Sequence, residues 1–236
     1  MRICLYGISG VPAGTHNVKD PRLDAAHRLV EAKKKTCVQV DVLDESGLPD
    51  AEAVVVSEQS RADLILKDLE FIETRLARNP DAAETAALTK LHAHLEQERF
   101  VFDAELSDAE RQAIAAHSCF VTSRPVIVAT PREIAQPEEL ILRAYHASGH
   151  ISFLTVGGKE NRAWKIKKRT TARAAGGAIH SDIRRGFIRA EVISYDDFIL
   201  AGGETQAKRA GKLRLETKQY VMQDYDLVNY RFNKTS

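Results

Sequence analysis

The sequence predicts an α/β protein in two parts: a small parallel sheet with an inserted helical hairpin, and a second domain of short strands packed on one helix. Three observations carry this prediction. Apolar runs such as AVVV and PVIV are typical of parallel strands buried on both faces, apolar residues recur at helical spacing over residues 60–98, and the charge changes sign near residue 150. Residues 1–150 carry 17 Lys+Arg against 24 Asp+Glu, and residues 151–236 carry 17 against 9. With the small-residue stretch YHASGHISF as a linker, we predict domains 1–148 and 149–236.

The N-terminal part alternates predicted strands and helices, which is the order of a parallel sheet covered by helices. RICLYGI is an apolar strand bounded by glycine, and CVQVDVLDESGL alternates apolar and polar residues before a turn. AEAVVVSE and RPVIVAT complete a set of four strands, and LDAAHRLVEAKKK has helical spacing. We therefore expect a reduced α/β layer.

Two amphipathic helices lie between the last two predicted strands. The first begins at a possible N-cap, Ser60, and a turn at Asn79-Pro80 leads into the second. Their apolar stripes consist of Leu64, Ile65, Leu69, Ile72 and Leu76, and of Leu88, Leu91 and Leu95. This pattern predicts a helical hairpin at about 60–98, and we expect its surface to offer a protein contact. A third helix is predicted where Ser107 and Glu110 fit a capping box.

The C-terminal part predicts a ubiquitin-like β-grasp domain, in which short strands pack on one helix. HISFLTVGG and NRAWKIKK form a hairpin around GGKE, and TTARAAGGAIHSDI is a short helical region that we expect to end at Gly176-Gly177. Further strands are predicted in FIRAEVIS, KLRLETK, YVMQ and LVNYRF, with a helical turn at YDDFILAGG.

Composition excludes several classes of protein. No run of 18 apolar residues predicts a membrane span, and the N-terminus lacks the pattern of a signal peptide. Cys4, Cys37 and Cys119 are widely spaced in apolar stretches, so we expect free thiols in a reducing cytoplasm. His146 and His150 are four residues apart, but no third ligand has suitable spacing, and we predict no metal site.

The loop after the first strand, GISGVPAGTHN, raises the question of a phosphate-binding P-loop. That motif needs four residues between its glycines, then a lysine and a hydroxyl, because backbone amides and the lysine hold the phosphates. Neither Gly7 nor Gly10 has the required spacing to Gly14, and Gly14 itself stands where the lysine before Thr15 would be. The loop is therefore predicted to be a turn, without a helix directly behind it.

The C-terminal sequence resembles the TGS domain of the Obg-like ATPase (YchF-type) family. The similarity is carried by RAW with IKK, AIHSDI, GFIRAEVISYDDF, GGE with AGK, and YVMQDYDLVNYRFN. The similarity also extends towards the N-terminus, beginning with DPRLD and the KKK that follows it. DVLDESGL is similar to the family's D-x-x-G stretch. The segments LILKDLEFIETRL, LTKLHAHLEQ and LSDAERQAI are similar to the family's inserted helices. Essentially the whole chain is covered, with large pieces missing.

The resemblance implies a degenerate nucleotide site in a reduced P-loop-like sheet. Asp44 and Gly47 match the ends of D-x-x-G, Thr130 takes the place of the family's base-reading Asn, and Glu133 keeps the acid that follows it. The vestigial nucleotide-binding residues are Gly7, Gly10, Gly14, Thr15, Asp44, Gly47, Thr130 and Glu133. Loss of the lysine removes charge from phosphoryl transfer, so we expect no catalysis and no cofactor. The alternative is that ATP or GTP still binds with Mg²⁺, with hydrolysis that is weak or supplied by a partner.

Basic residues in the C-terminal part predict contact with RNA. They form three groups: Arg162, Lys165, Lys167, Lys168, Arg169 and Arg173; Arg184, Arg185 and Arg189; and Lys208, Arg209, Lys212 and Arg214. Alternation in RAWKIKK places Trp164 and Ile166 on one face and Lys165 and Lys167 on the other. Such a surface can neutralise phosphates, although it could also dock on the acidic N-terminal half.

The function expected from the sequence is that of a non-catalytic binding protein in the cytoplasm. The resemblance implies a ribosomal RNA or translation-factor partner, because TGS domains recur in translation factors and the family is associated with ribosomes. A regulator that competes with a full-length family member for its ribosomal site is a further alternative.

Overall fold

The computed structural model describes residues 1–117 and 120–233. Within those ranges, the strands are β1 (Arg2–Tyr6), β2 (Gly14–Val18), β3 (Lys34–Thr36), β4 (Val38–Leu43), β5 (Ala53–Ser57), β6 (Val126–Ala129), β7 (His150–Thr155), β8 (Glu160–Lys167), β9 (Phe187–Ile193), β10 (Arg214–Glu216) and β11 (Leu227–Phe232). The helices are α1 (Pro21–Leu29), α2 (Arg61–Leu76), α3 (Ala82–Glu96), α4 (Asp108–Ile114), α5 (Pro131–Ile134), α6 (Pro137–Ala147), α7 (Ala172–Ile179), α8 (Ser181–Arg185), α9 (Tyr195–Ala201) and α10 (Glu204–Arg209). Short 3-10 helices span Glu45–Asp50, Glu58–Ser60 and Val101–Asp103. None of the helices in this described part of the chain is both long and apolar enough to cross a bilayer.

The chain forms two compact units whose boundary differs from the predicted one. The first comprises residues 1–16 and 40–148, and the second comprises residues 17–39 and the chain from 149 onward. Residues 17–39 were predicted to belong to the N-terminal domain, but β3 pairs in parallel with β8 and α1 packs against α9. The predicted linker YHASGHISF is also ordered, since α6 runs to Ala147, Gly149 takes a left-handed φ of 72°, and β7 begins at His150.

The first unit is built on the predicted parallel sheet. Its strand order is β2-β4-β1-β5-β6, and β1 runs parallel to β4 and β5, as β5 does to β6. All of β5 is buried, whereas β4 alternates between buried and exposed residues. The α/β fold class is therefore confirmed. The strand β2 was not predicted, because GTHNV is mostly polar and exposed.

The helical hairpin packs its apolar stripe on the sheet. Leu64, Ile72, Leu88 and Leu91 are completely buried in one cluster with Val54 and Val56 of β5. Ser60 occupies the predicted N-cap position of α2, although its side chain makes no capping bond. The capping box of Ser107 and Glu110 at the start of α4 is confirmed.

The second unit is a six-stranded mixed sheet in the order β10-β9-β11-β7-β8-β3, with α7 and α8 packed on one face. Its core joins Phe153 and Val192 of the sheet to Ala172 and Ala175 of α7 and to Ile183 of α8. A single main helix lying across such a sheet is the predicted β-grasp arrangement.

Three predicted elements of this unit were wrong in detail. The pair Gly176-Gly177 does not end a helix, because α7 continues to Ile179; Gly176 instead lets α8 approach, since a Cβ there would lie 2.6 Å from Cγ2 of Ile183. YVMQ forms only an isolated bridge between Val221 and Thr171. The helix predicted in LDAAHRLVEAKKK stops at Leu29, and the last two lysines of this segment, Lys34 and Lys35, lie in β3.

Of the three cysteines, Cys4 is buried and Cys37 is half-buried, and both are free thiols. Cys119 lies outside the described residues. Burial raises the pKa of Cys4 to about 11 and also raises the pKa of Cys37. No cluster of potential metal ligands occurs among the described residues.

Candidate functional site

The glycine loop leaves the carboxyl end of β1 and turns back into another strand. Gly7, Gly10 and Gly14 have φ of 63°, 87° and 131°, which are left-handed values that glycine adopts without strain. The chain then enters β2, and the next helix begins only at Pro21. The amide of Gly7 donates a hydrogen bond of 2.9 Å to Oε1 of Glu45. The carboxylate of Glu45 therefore already accepts the hydrogen bond that this loop amide could donate to a phosphate.

A cavity of about 430 Å³ lies between this loop and the end of β4. It is lined by Leu5, Ile8, Val11, Ala13, Leu43, Asp44, Glu45 and Ser46. The loop and the predicted Asp44 are thus neighbours, as expected for the carboxyl ends of parallel strands. Oδ1 of Asp44 accepts hydrogen bonds from the amide and the hydroxyl of Ser46, at 3.0 and 2.5 Å, and these bonds lower its pKa. Asp44 therefore serves as the cap of the 3-10 helix that follows.

The remaining predicted nucleotide residues have local structural partners. Thr15 donates a hydrogen bond from its hydroxyl to Asp41, at 2.9 Å. Gly47 faces Leu43, where an added Cβ would lie 2.7 Å from the leucine Cβ. Neither of these two residues lines the cavity.

Thr130 and Glu133 form a capping box at the start of α5. Glu133 accepts bonds from the amide and the hydroxyl of Thr130, both at 2.9 Å, and it also pairs with Arg143. Hydrogen bonding from the Thr130 amide is the main reason that the pKa of Glu133 is lowered. Both residues follow the carboxyl end of β6, and neither lines the loop cavity.

The strand residues of the first predicted group of cations lie on both faces of the sheet. Trp164 and Ile166 share a face of β8 as predicted, and that face packs on the core. The guanidinium of Arg162 stacks 4.1 Å above the centre of the Trp164 ring. Arg162 therefore shares the face of Trp164 and not that of the lysines. On the opposite face, Asn161 is buried, and its side-chain amide contacts Nδ1 of His27 at 2.9 Å.

Four residues at the end of β8 keep their positive charge uncompensated. Lys165 is half-buried, and Lys167, Lys168 and Arg169 are exposed. Within the described ranges, none of the four has an acidic partner in an ion pair. We call them the β8 cations.

Most of the third predicted group is neutralised within the second unit. Lys208 pairs with Glu204 at 2.5 Å, and Lys212 pairs with Asp197 at 3.0 Å. Arg214 lies 3.4 Å from Glu216. In the second group, Arg185 pairs with Asp182. Arg189 and Arg209 are exposed and have no such partner in the described part of the chain.

Two predicted cations from different groups line one cavity. Arg173 and Arg184 are joined there by Lys218, which the sequence analysis did not single out. Lys218 is the last residue of the predicted strand KLRLETK, and no local pattern distinguishes it. Its place beside Arg173 depends on how the chain after β10 returns to α7.

The C-terminal unit matches a known protein family. Residues 150–233 fit the family model YchF-GTPase_C, which is described as a protein of unknown function. The C-terminal unit is related to the YchF-type Obg-like ATPases.

Individual relatives agree with this assignment. The ribosome-binding ATPase YchF of Bacillus subtilis is 48% identical over 96 residues, which cover 41% of this chain and 26% of that protein. The ribosome-binding ATPase YchF of Haemophilus influenzae is 49% identical over 94 residues, covering 39% of this chain and 26% of the relative. The YchF of Haemophilus ducreyi is 54% identical over 82 residues, covering 35% and 23%. The matched segments thus span about a quarter of the length of these relatives.

The likeness in fold extends over nearly the whole chain. The structure of the Schizosaccharomyces pombe YchF GTPase superposes with a TM-score of 0.74 at 16% identity and covers 98% of this chain and 97% of its own. This similarity confirms the predicted α/β architecture with a β-grasp unit at the C-terminus.

Proposed function

We propose that this protein contacts ribosomal RNA through the basic surface of its second unit and does not hydrolyse nucleotide. The observation that carries the proposal is the group of β8 cations. Lys167, Lys168 and Arg169 are consecutive, exposed and without acidic partners in the described chain. Unpaired surface cations of this kind bind nucleic acid by displacing counterions from phosphates.

The relatives support a ribosomal location. The β8 cations lie within residues 150–233, which fit the family model YchF-GTPase_C, and two relatives of this chain are named ribosome-binding ATPases. A ribosome-bound protein works in the cytoplasm, which agrees with the free thiols of Cys4 and Cys37.

The absence of hydrolysis is supported by the geometry of the glycine loop. No lysine is available in the loop to contact a phosphate, and the chain behind it is a strand instead of a helix N-terminus. Glu45 already accepts the Gly7 hydrogen bond, so a phosphate there would meet a negative charge. Thr130 and Glu133 are committed to a helix cap. These residues do not fit a nucleotide with Mg²⁺, and we derive no step through one.

The RNA contact is tested by fluorescence anisotropy with a labelled polyuridine oligonucleotide. Binding should weaken steeply between about 50 mM and about 200 mM salt, because each phosphate contact adds about 0.7 to the slope of log K against log salt for a single strand. Lys167→Gln/Lys168→Gln should bind more weakly than wild type. Lys208→Gln/Lys212→Gln removes the same charge from ion-paired positions and is the matched control. Equal affinity of wild type and the first variant would contradict the assignment of the β8 cations.

A second candidate function is residual nucleotide binding, which is favoured by the cavity between the loop and Asp44. Calorimetric titration with ATP and with GTP, each with Mg²⁺, separates the two functions. Our proposal predicts no saturable heat at millimolar nucleotide. Saturable binding would support the second candidate and would require hydrolysis assays in the presence of ribosomes.

The helical hairpin is proposed as a further protein contact through its outward face. The apolar stripe of the hairpin is buried in the core. A partner would therefore contact the outward face of the hairpin, where Leu66 is 51% exposed.

A further inference from the structure

A cavity of about 320 Å³ in the second unit brings together three cations from three separate elements. Arg173 lies in the first turn of α7, Arg184 in α8, and Lys218 in the segment after β10. The lining residues are Thr171, Arg173, Ala174, Arg184, Lys218 and Gln219. All of the charged side chains in this lining are positive.

The walls of this cavity are fixed by the backbone. The amide of Ala172 donates to the carbonyl of Tyr220 at 2.7 Å, and the amide of Met222 donates to the carbonyl of Thr170 at 3.0 Å. These two bonds hold the segment with Lys218 beside the start of α7. The backbone positions of the three cations are therefore set before binding, and only their side chains remain to be ordered.

The two arginines are held by contacts of their own. Nε of Arg173 donates to the carbonyl of Arg184 at 3.0 Å, which joins α7 to α8. The aliphatic stem of Arg184 lies close to α7 at Gly177, where an added Cβ would be 3.1 Å from Cδ. Within the described residues, their terminal guanidinium nitrogens make no hydrogen bond or ion pair, which leaves them available for an anion.

The charge of this cavity is not compensated inside the protein. Within residues 1–117 and 120–233, Arg173, Arg184 and Lys218 have no acidic partner, whereas Arg185, Lys208 and Lys212 all do. In addition, Thr171 at the N-cap of α7 makes no capping bond with its side chain. A guanidinium pair with a nearby ammonium is a strong arrangement for the oxygens of a phosphate.

We propose that this cavity binds a backbone phosphate of the RNA and thereby fixes where the strand crosses the second unit. The inference rests on the proposed function and deepens it. The β8 cations attract RNA from an exposed surface, whereas this cavity would hold one phosphate at a defined position. The ligand chemistry is that of a phosphodiester with two oxygens facing the two guanidinium groups.

The RNA arm of the test uses the full chain and the labelled polyuridine oligonucleotide. Arg173→Gln/Arg184→Gln should bind about 20-fold more weakly near 0.1 M salt and should lower the salt slope by about 1.4, as expected for two lost phosphate contacts on a single strand. Lys218 makes no hydrogen bond or ion pair with its side chain within the described chain, so Lys218→Gln should weaken binding about fivefold without a change in thermal stability. The control Lys208→Gln/Lys212→Gln should bind nearly as wild type does.

The phosphate arm uses inorganic phosphate as the probe and follows ¹H–¹⁵N amide spectra. Saturable shifts at Arg173 and Ala174 that disappear in Arg173→Gln/Arg184→Gln would support the subsite. RNA binding with unchanged affinity in both cavity variants would overturn the subsite and leave the proposed function standing. Phosphate shifts without any RNA binding by wild type would contradict the proposed function and the RNA source together. An equal loss in the control would show that only net charge matters and would overturn the subsite.

Discussion

At the scale of single residues, glycines with similar backbones have different roles. Gly7 and Gly10 both have positive φ in the same loop. An added Cβ on Gly7 would lie 1.9 Å from Oγ and 2.4 Å from Cβ of Ser60, whereas one on Gly10 would meet nothing within 4 Å. Gly7 therefore supports both a turn and a close approach to the start of α2, and Gly10 supports only a turn.

Alanine substitution separates these roles. Gly10→Ala should lower the free energy of unfolding by about 1–2 kcal/mol, which is the cost of a left-handed alanine. Gly7→Ala should cost roughly 1–3 kcal/mol more, because the added methyl group overpacks against Ser60. Urea denaturation of both variants and wild type measures the difference. Equal losses in the two variants would contradict the contact with Ser60.

A second residue-scale prediction concerns Glu84 at the start of α3. Its carboxylate accepts bonds from Nε and Nη2 of Arg75, at 2.5 and 2.9 Å, and lies 2.8 Å from Nε2 of His117. The bonds from Arg75 are the main reason that the pKa of Glu84 is lowered to about 2 from an ordinary 4.5. Its stabilising effect is therefore complete above the ordinary pKa and is lost as the pH falls towards 2.

We accordingly expect Glu84→Gln to unfold at a lower temperature than wild type at neutral pH. The difference in Tm should shrink as the pH falls from about 5 towards 2, because wild type then loses the same charge. Thermal unfolding followed by circular dichroism at a series of pH values tests this. A difference in Tm that stays constant down to acid pH would show that the carboxylate charge is not what stabilises the hairpin.

At the scale of elements, the contact between α7 and α8 depends on Gly176. Gly176→Ala should destabilise the second unit by roughly 1–3 kcal/mol, since the new Cβ would press on Ile183 at the centre of its core. Gly177→Ala is the control, because its Cβ would meet the flexible stem of Arg184 instead. Urea denaturation should separate the two variants. An equally stable Gly176→Ala would mean that the helices can separate without cost.

Local patterns predicted most elements, and contacts between distant segments explain the rest. The four parallel strands and the hairpin follow from apolar periodicity, and the capping box at Ser107 follows from residues three apart. By contrast, β3 is a strand because it pairs with β8, more than 120 residues later. Gly176 was misread for the same reason, since the need for a glycine arises from Ile183 on another helix.

At the scale of the whole molecule, sequence could count the basic residues but could not pair them. Lys208 and Lys212 looked equivalent to Lys167 and Lys168 until their acidic partners were located. For the predicted nucleotide-binding residues, part of the answer was visible in the sequence and part was not. Missing residues such as the loop lysine are visible in the sequence, whereas the bond from Gly7 to Glu45 depends on how two strands lie side by side.

We propose above that the chain binds the ribosome through RNA and without using nucleotide. Co-sedimentation of the purified protein with ribosomes, in the presence and absence of ATP with Mg²⁺, tests it most directly. We predict that the protein pellets with ribosomes equally under both conditions, that moderate salt releases it, and that Lys167→Gln/Lys168→Gln reduces the pelleted fraction. No co-sedimentation at low salt, or co-sedimentation only with ATP, would contradict the claim.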